Sequence, residues 1–312
     1  MTRAVGSRRR SAAATLAAVA AATVLAACAP TSPPEPEPAP AAAFGHVHAL
    51  GWDPVSDRTY AATHDGVWEL PTGAMPEAYP GAGAGPAEPV QVGGNRQDTM
   101  GFTVARPGLL LASGHPGADD DHDLEAPNLG LMSSTDGART WTPVSLRGAV
   151  DFHDLEAAEL PGGGLRVYGL DSADGTVRVS DDGGATWAAA PPIAARDLAV
   201  DPGAPDRIYA TTAEGLMRSD DAGASWSRVD GAPALVLVVA TDAGDLVGID
   251  VDGTVQRLRG DEWTAHGRAS GAVEAMAVVG GDEQWLLLAD ERGIVASDDL
   301  GASVTVLVPG AT

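Results

Sequence analysis

Beyond residue 44 the chain is a succession of short apolar runs, each broken by Gly, Asp or Pro. Apolar and polar residues alternate within these runs, which is the period-two pattern of half-buried strands, and no stretch sustains a 3.6-residue period. The runs recur in a fixed order. A leading strand is predicted at 46–50, 98–104, 152–157, 196–200, 236–240 and 274–278. A second strand follows, such as 166–169 or 207–210, and then a Gly- or Thr-led third, such as 215–218.

After the third strand comes a repeated octad. Residues 180–187 and 219–226 both fit Ser-x-Asp-x-Gly-x-Thr/Ser-Trp, centred on Asp182 and Asp221. The octad at 134–141, with Asp136, departs only in Ala138, and the one at 297–304, with Asp299, departs only in Val304. The pattern resembles the Asp-box, or BNR, repeat of sialidases and other β-propellers. Its logic is that of a hairpin turn, in which Asp caps backbone N–H groups and Gly supplies a positive φ. These four aspartates are therefore structural, on turns away from the usual ligand face. Trp141, Trp187, Trp226, Trp263 and Val304 follow one another at intervals of 46, 39, 37 and 41 residues, the size of a four-stranded blade. The expected fold is all-β, a six-bladed propeller spanning residues 44–312. The length also accommodates seven blades, but six repeats are visible. Blade one lacks the octad and carries instead the loop from Pro71 to Pro89, which its Pro and Gly content marks as flexible.

The segment before the propeller has a different character. Arg3, Arg8, Arg9 and Arg10 precede an apolar run that ends in Leu25-Ala26-Ala27-Cys28. A basic head, a short apolar stretch and small residues before a cut make a signal peptide over 1–27. Leu-Ala-Ala-Cys resembles the lipobox of bacterial lipoproteins, which implies that Cys28 is lipidated and becomes the mature N-terminus. Residues 28–43 carry six prolines and form a stiff tether, reaching about 45 Å at most in extended polyproline geometry. The expected location is the outer face of the cell membrane, with the lipid anchor as the membrane contact.

Composition narrows the partners. There are 43 acidic side chains against 19 basic ones, a formal charge of −24, which removal of the four early arginines would take to −28. Nucleic acid is excluded as a partner, because phosphate binding needs a basic face. The lone cysteine cannot form an internal disulfide or a thiolate metal site, and if it is lipidated no free thiol remains.

Histidine placement is the sharpest chemical clue, since six of the seven lie between residues 46 and 153. Aligning the leading strands gives one column of His48, Met100, His153, Arg196, Val236 and Glu274. Two residues earlier the column reads His46, Asp98, Asp151, Ala194, Ala234 and Ala272. Side chains two apart on a strand share a face, so these columns should ring the channel mouth. His64 and His115 align at the end of the second strand in blades one and two, on the same rim. The acidic run Asp119–Asp123 follows His115 there and would attract cations.

One histidine at a strand end is a polar plug; five converging from three blades predict a pocket. The ligand-binding set is His46, His48, His64, Asp98, Met100, His115, His153 and Arg196. The donors suit a divalent ion such as zinc, or copper if Met100 takes part. His48 and His153 are expected as principal metal ligands, with His46, His64 and His115 as further or supporting ones and Met100 and Asp98 as auxiliaries.

The pattern as a whole also resembles a family of exported bacterial proteins labelled glycosyl-hydrolase-like. The residues that carry the resemblance are His46-Val-His48, Thr63-His-Asp-Gly66, Asp98-Thr-Met-Gly-Phe102, Ser113-Gly-His-Pro116 and Asp151-Phe-His153, with the octads. That resemblance implies glycoside hydrolysis and a glycan ligand, and Asp98, Asp151 and Glu274 are the carboxylates that could flank a sugar in a two-carboxylate mechanism. A sialidase would instead need three inward arginines and a tyrosine nucleophile, and Arg196 is the only arginine on the columns. Related-looking propellers also act as assembly factors that dock proteins, which is the third expectation.

Overall fold

The computed structural model describes residues 45–94, 96–117, 127–280 and 284–310. The proposed signal peptide, Cys28, the tether and the acidic run Asp119–Asp123 lie outside the described residues. The described chain is all-β, with no helix, and forms six four-stranded sheets. In each sheet the four strands neighbour one another in chain order, so every blade is an antiparallel meander. The leading strands are Val47–Asp53, Asp98–Arg106, Phe152–Glu159, Ala195–Val200, Leu235–Ala240 and Ala275–Val279. Each packs beside the next and the sixth packs beside the first, which closes the ring.

Six apolar clusters hold the blades together, one between each neighbouring pair. Blade-to-blade burial is the main source of cohesion, because a lone four-stranded sheet leaves both faces wet. Phe102 and Phe152 are buried in two of these clusters.

The ring closes without sharing a strand, since the first and last sheets are each built from one continuous segment. The loop expected to be flexible does the closing. From it, Met75 and Tyr79 enter the cluster shared by blades one and six, alongside Trp285, Leu287 and Val279. The Tyr79 hydroxyl lies 2.9 Å from Thr59 Oγ1 on blade one. Trp285 on blade six donates from Nε1 to the Ala78 carbonyl at 3.2 Å, with its ring 5.4 Å from that of Tyr79. An apolar anchor inside a Pro/Gly-rich segment overrides its composition.

The octad turns have the expected construction. Asp136, Asp182, Asp221 and Asp299 each accept from the backbone N–H four residues on, at 2.8–3.0 Å. The leading serine of each octad accepts from the fifth residue's N–H, which has positive φ in all four. Ala138 adopts φ 65° where the other copies have glycine, so the turn survives at the cost of a strained alanine.

Candidate functional site

The channel mouth is built from irregular strand starts. Pairing registers slip at 47/49, 99/101, 195/197 and 235/237, and between 170 and 171 opposite 152–154. Each slip leaves one residue of the leading strand unpaired: His48, Met100, Arg196, Val236 and His153. A bulge of this kind re-aims side chains at a barrel rim. Five of the six column positions are thus bulges, and the sixth, Glu274, just precedes its strand.

Local chemistry then fixes each donor. His64 sits in the tight link between the second and third strands of blade one. There Asp65 N donates to Thr63 Oγ1 at 3.0 Å, and the Asp65 carboxylate holds Arg96 in a two-point pair at 2.7 Å. His115 ends the second strand of blade two and pairs directly with Asp98. Gly114 beside it has φ 144°, and any Cβ there would fall 1.9 Å from the Asp98 carbonyl oxygen. Only glycine lets the two strands approach so closely.

All five histidines line one arc across blades one to three, joined by three carboxylates. His46 Nδ1 is 3.0 Å from Glu274 Oε1 on blade six. His48 Nε2 is 3.2 Å from His64 Nδ1, which is 2.7 Å from Asp98 Oδ1. His115 bridges two carboxylates, with Nδ1 3.6 Å from Asp98 Oδ2 and Nε2 3.3 Å from Asp151 Oδ2. Asp151 Oδ2 also meets His153 Nε2 at 2.7 Å and accepts from Ser172 Oγ at 2.9 Å. The other oxygen of Asp151 is buried and unpartnered among the described residues.

Among these, His48, His64 and Asp98 form the compact group whose ligand atoms lie within 4.8 Å of one another. His153, expected as a principal ligand, stands instead with Asp151. Met100 is half-buried on the strand that begins at Asp98. Arg196 is exposed, and its charge acts on Asp197.

Electrostatics separates the two halves of the arc. Burial, reinforced by the neighbouring His64 and His46, lowers the His48 pKa to about 4, so its imidazole is neutral at ordinary pH. His153 moves the other way, raised chiefly by its hydrogen bond to Asp151. Burial works against ionisation of Asp151, but the His153 contact and Ser172 hold its carboxyl below the ordinary range.

Below the mouth, a channel cavity of about 650 Å³ is lined by Asp154, Glu156 and Asp197. Sequence reading missed these three. They cap the channel-facing edge of the next blade: Leu198 N donates to Asp154 Oδ2 and Val238 N to Asp197 Oδ2, both at 2.6 Å. Glu274 acts in the same way on Val47 N at 2.9 Å.

No tyrosine nucleophile faces the mouth. Tyr60, Tyr79 and Tyr168 are buried and Tyr209 is half-buried, and burial raises all four hydroxyl pKa values.

No protein-family model and no curated protein matches the chain. Solved structures do. YCF48 bound to a D1 peptide is 15% identical at TM-score 0.51, covering 84% of this chain and 80% of that one. The GH74 xyloglucanase of Xanthomonas campestris is 17% identical at TM-score 0.53; it covers 83% of this chain, but only 38% of the enzyme is matched. A gluconolactonase from Xanthomonas campestris is 12% identical at TM-score 0.55, covering 80% of this chain and 85% of that one. All of them are similar in fold. At such identities the likeness extends to the propeller alone, and propellers host unrelated functions.

Proposed function

We propose that this propeller binds a divalent first-row metal ion, zinc or copper, through His48, His64 and Asp98 at the channel mouth. The observation that carries the reading is the triangle of donor atoms, with sides of 3.2, 2.7 and 3.8 Å. Donors on one tetrahedral zinc ion stand about 3.3 Å apart. One Nδ1 proton on His64 serves both neighbours poorly, whereas a cation takes all three lone pairs at once. Nitrogen and carboxylate donors select zinc or Cu(II) over the soft Cu(I). The neutral state of His48 supports the same reading, because a ligating imidazole must be free of its second proton. In this reading the domain stands at the outer membrane face on lipidated Cys28, supported by the Leu25–Cys28 signature, and the acidic surface draws cations inward.

The glycosidase alternative asks more of the same carboxylates. Asp98, Asp151 and Glu274 each already hold one or more imidazoles at 2.7–3.8 Å. Asp151 is also held ionised, the wrong state for a general acid. Protein docking has no comparable local feature in its favour.

Purified protein incubated with zinc and desalted is expected to retain about one ion per chain. Zinc at about a hundred times its Kd should raise the unfolding free energy by about 2.7 kcal/mol. His48→Ala should weaken binding at least about a hundredfold and cut that gain to about 0.4 kcal/mol or less. Absence of both zinc and copper from the wild-type protein after this treatment would overturn the proposal.

A further inference from the structure

Beside the metal triangle stands a third imidazole in an unusual setting. His46 and Val47 are held by the two oxygens of one carboxylate, Glu274, which belongs to the last blade. Oε1 faces His46 Nδ1 at 3.0 Å, and Oε2 accepts from Val47 N at 2.9 Å. A carboxylate accepts, so the imidazole proton sits on Nδ1 and the lone pair on Nε2. The His46 ring centre is 4.8 Å from that of His48 and 5.8 Å from that of His64, and those two are 4.4 Å apart. Three imidazoles on one tetrahedral ion have ring centres about 5 Å apart. The compact triangle does not include His46, whose side chain is 46% exposed beside it.

Resting on the metal reading above, we propose that His46 closes the site as fourth ligand. The centre is then three histidines and one aspartate, fully coordinated by protein, with Glu274 as the positioning residue for His46. A closed tetrahedral set retains an ion, whereas a hydrolytic site keeps one position for water. The ligand class is therefore a metal ion held as cargo or as a structural element, and not a substrate turned over at a metal-bound water. The ion would also tie together three blades: His46, His48 and His64 from blade one, Asp98 from blade two, and Glu274 from blade six behind His46.

Cobalt(II) bound to the full-length chain tests this by its visible spectrum. A closed site gives the intense bands of four-coordinate cobalt with no pH dependence, because no bound water ionises near neutrality. His46→Ala is expected to bind cobalt about ten- to a hundredfold more weakly, with a spectrum that titrates at about pH 7 as water fills the vacated position. Glu274→Gln should behave alike. Its amide oxygen still accepts from Val47 N, but its NH2 group donates to Nδ1 and forces the proton onto Nε2. A wild-type spectrum that itself titrates near neutrality would overturn the inference while leaving the metal reading standing. So would a His46→Ala protein indistinguishable from wild type in affinity and spectrum. A wild-type chain that takes up neither cobalt nor zinc would overturn both.

Discussion

Tyr79→Ala is expected to lower the unfolding free energy by about 3–5 kcal/mol, as large-to-small changes in a full core do. Tyr79 is 1% exposed in the cluster that joins blade one to blade six. Its removal also leaves Thr59 Oγ1 buried without the hydroxyl it meets at 2.9 Å, which adds to the loss. Many small rings close by splitting one blade's strands between the two chain ends. Here both end blades are continuous, so side-chain packing and the hydrogen bonds of Trp285 and Glu274 hold the seam. Trp285→Phe should cost about 1–3 kcal/mol, because the bond to the Ala78 carbonyl is lost and the smaller phenyl ring leaves a void in the cluster. Urea unfolding measures both changes, and hydrogen exchange should show blades one and six opening first in Tyr79→Ala. A Tyr79→Ala loss below about 1 kcal/mol would mean that the insertion merely covers the seam.

The double variant Asp154→Asn, Asp197→Asn is expected to be more stable than wild type at pH 8, by about 2 kcal/mol. Burial pushes the Asp154 carboxyl up to about 7, and burial with the charge of Asp154 pushes Asp197 and Glu156 well above the usual range. Unfolded carboxyls lose their protons at about pH 4. Between about pH 4 and 7 the folded state therefore holds extra protons, and stability falls as pH rises through that window. All three side chains are half-buried and line the channel cavity, so the cost of charge is a fraction of that in a dry core. Asparagine keeps an oxygen for the N–H groups of Leu198 and Val238 and carries no charge at any pH. Thermal melts from pH 5 to 8 should show a decline for wild type and a flatter profile for the variant. Parallel profiles would show that these carboxyls are already well solvated.

The blades were legible because strand, turn and tryptophan signals repeat at the same spacing. Each octad carries its own turn chemistry, and the degenerate copy at Ala138 still folds as the pattern predicts. The seam was not legible, because a Pro/Gly-rich stretch reads as loose until the partner of Tyr79, 206 residues further along the chain at Trp285, is known. The histidine arc was legible by alignment, since its members occupy equivalent strand positions. The order within it was not. Strict alternation from His153 sends Asp154 to the opposite face, but the bulge at His153 resets the alternation, and Asp154 and Glu156 turn into the channel. Likewise, the pairing of His64 with His48, and of His153 with Asp151, depends on turn geometry that spacing does not encode.

An anomalous-difference map from crystals of zinc-loaded protein tests the metal site most directly. The expected result is one peak at about 2.0–2.2 Å from His48 Nε2, His64 Nδ1 and Asp98 Oδ1. A map without that peak, or with zinc only on carboxylates away from the three residues, would contradict it.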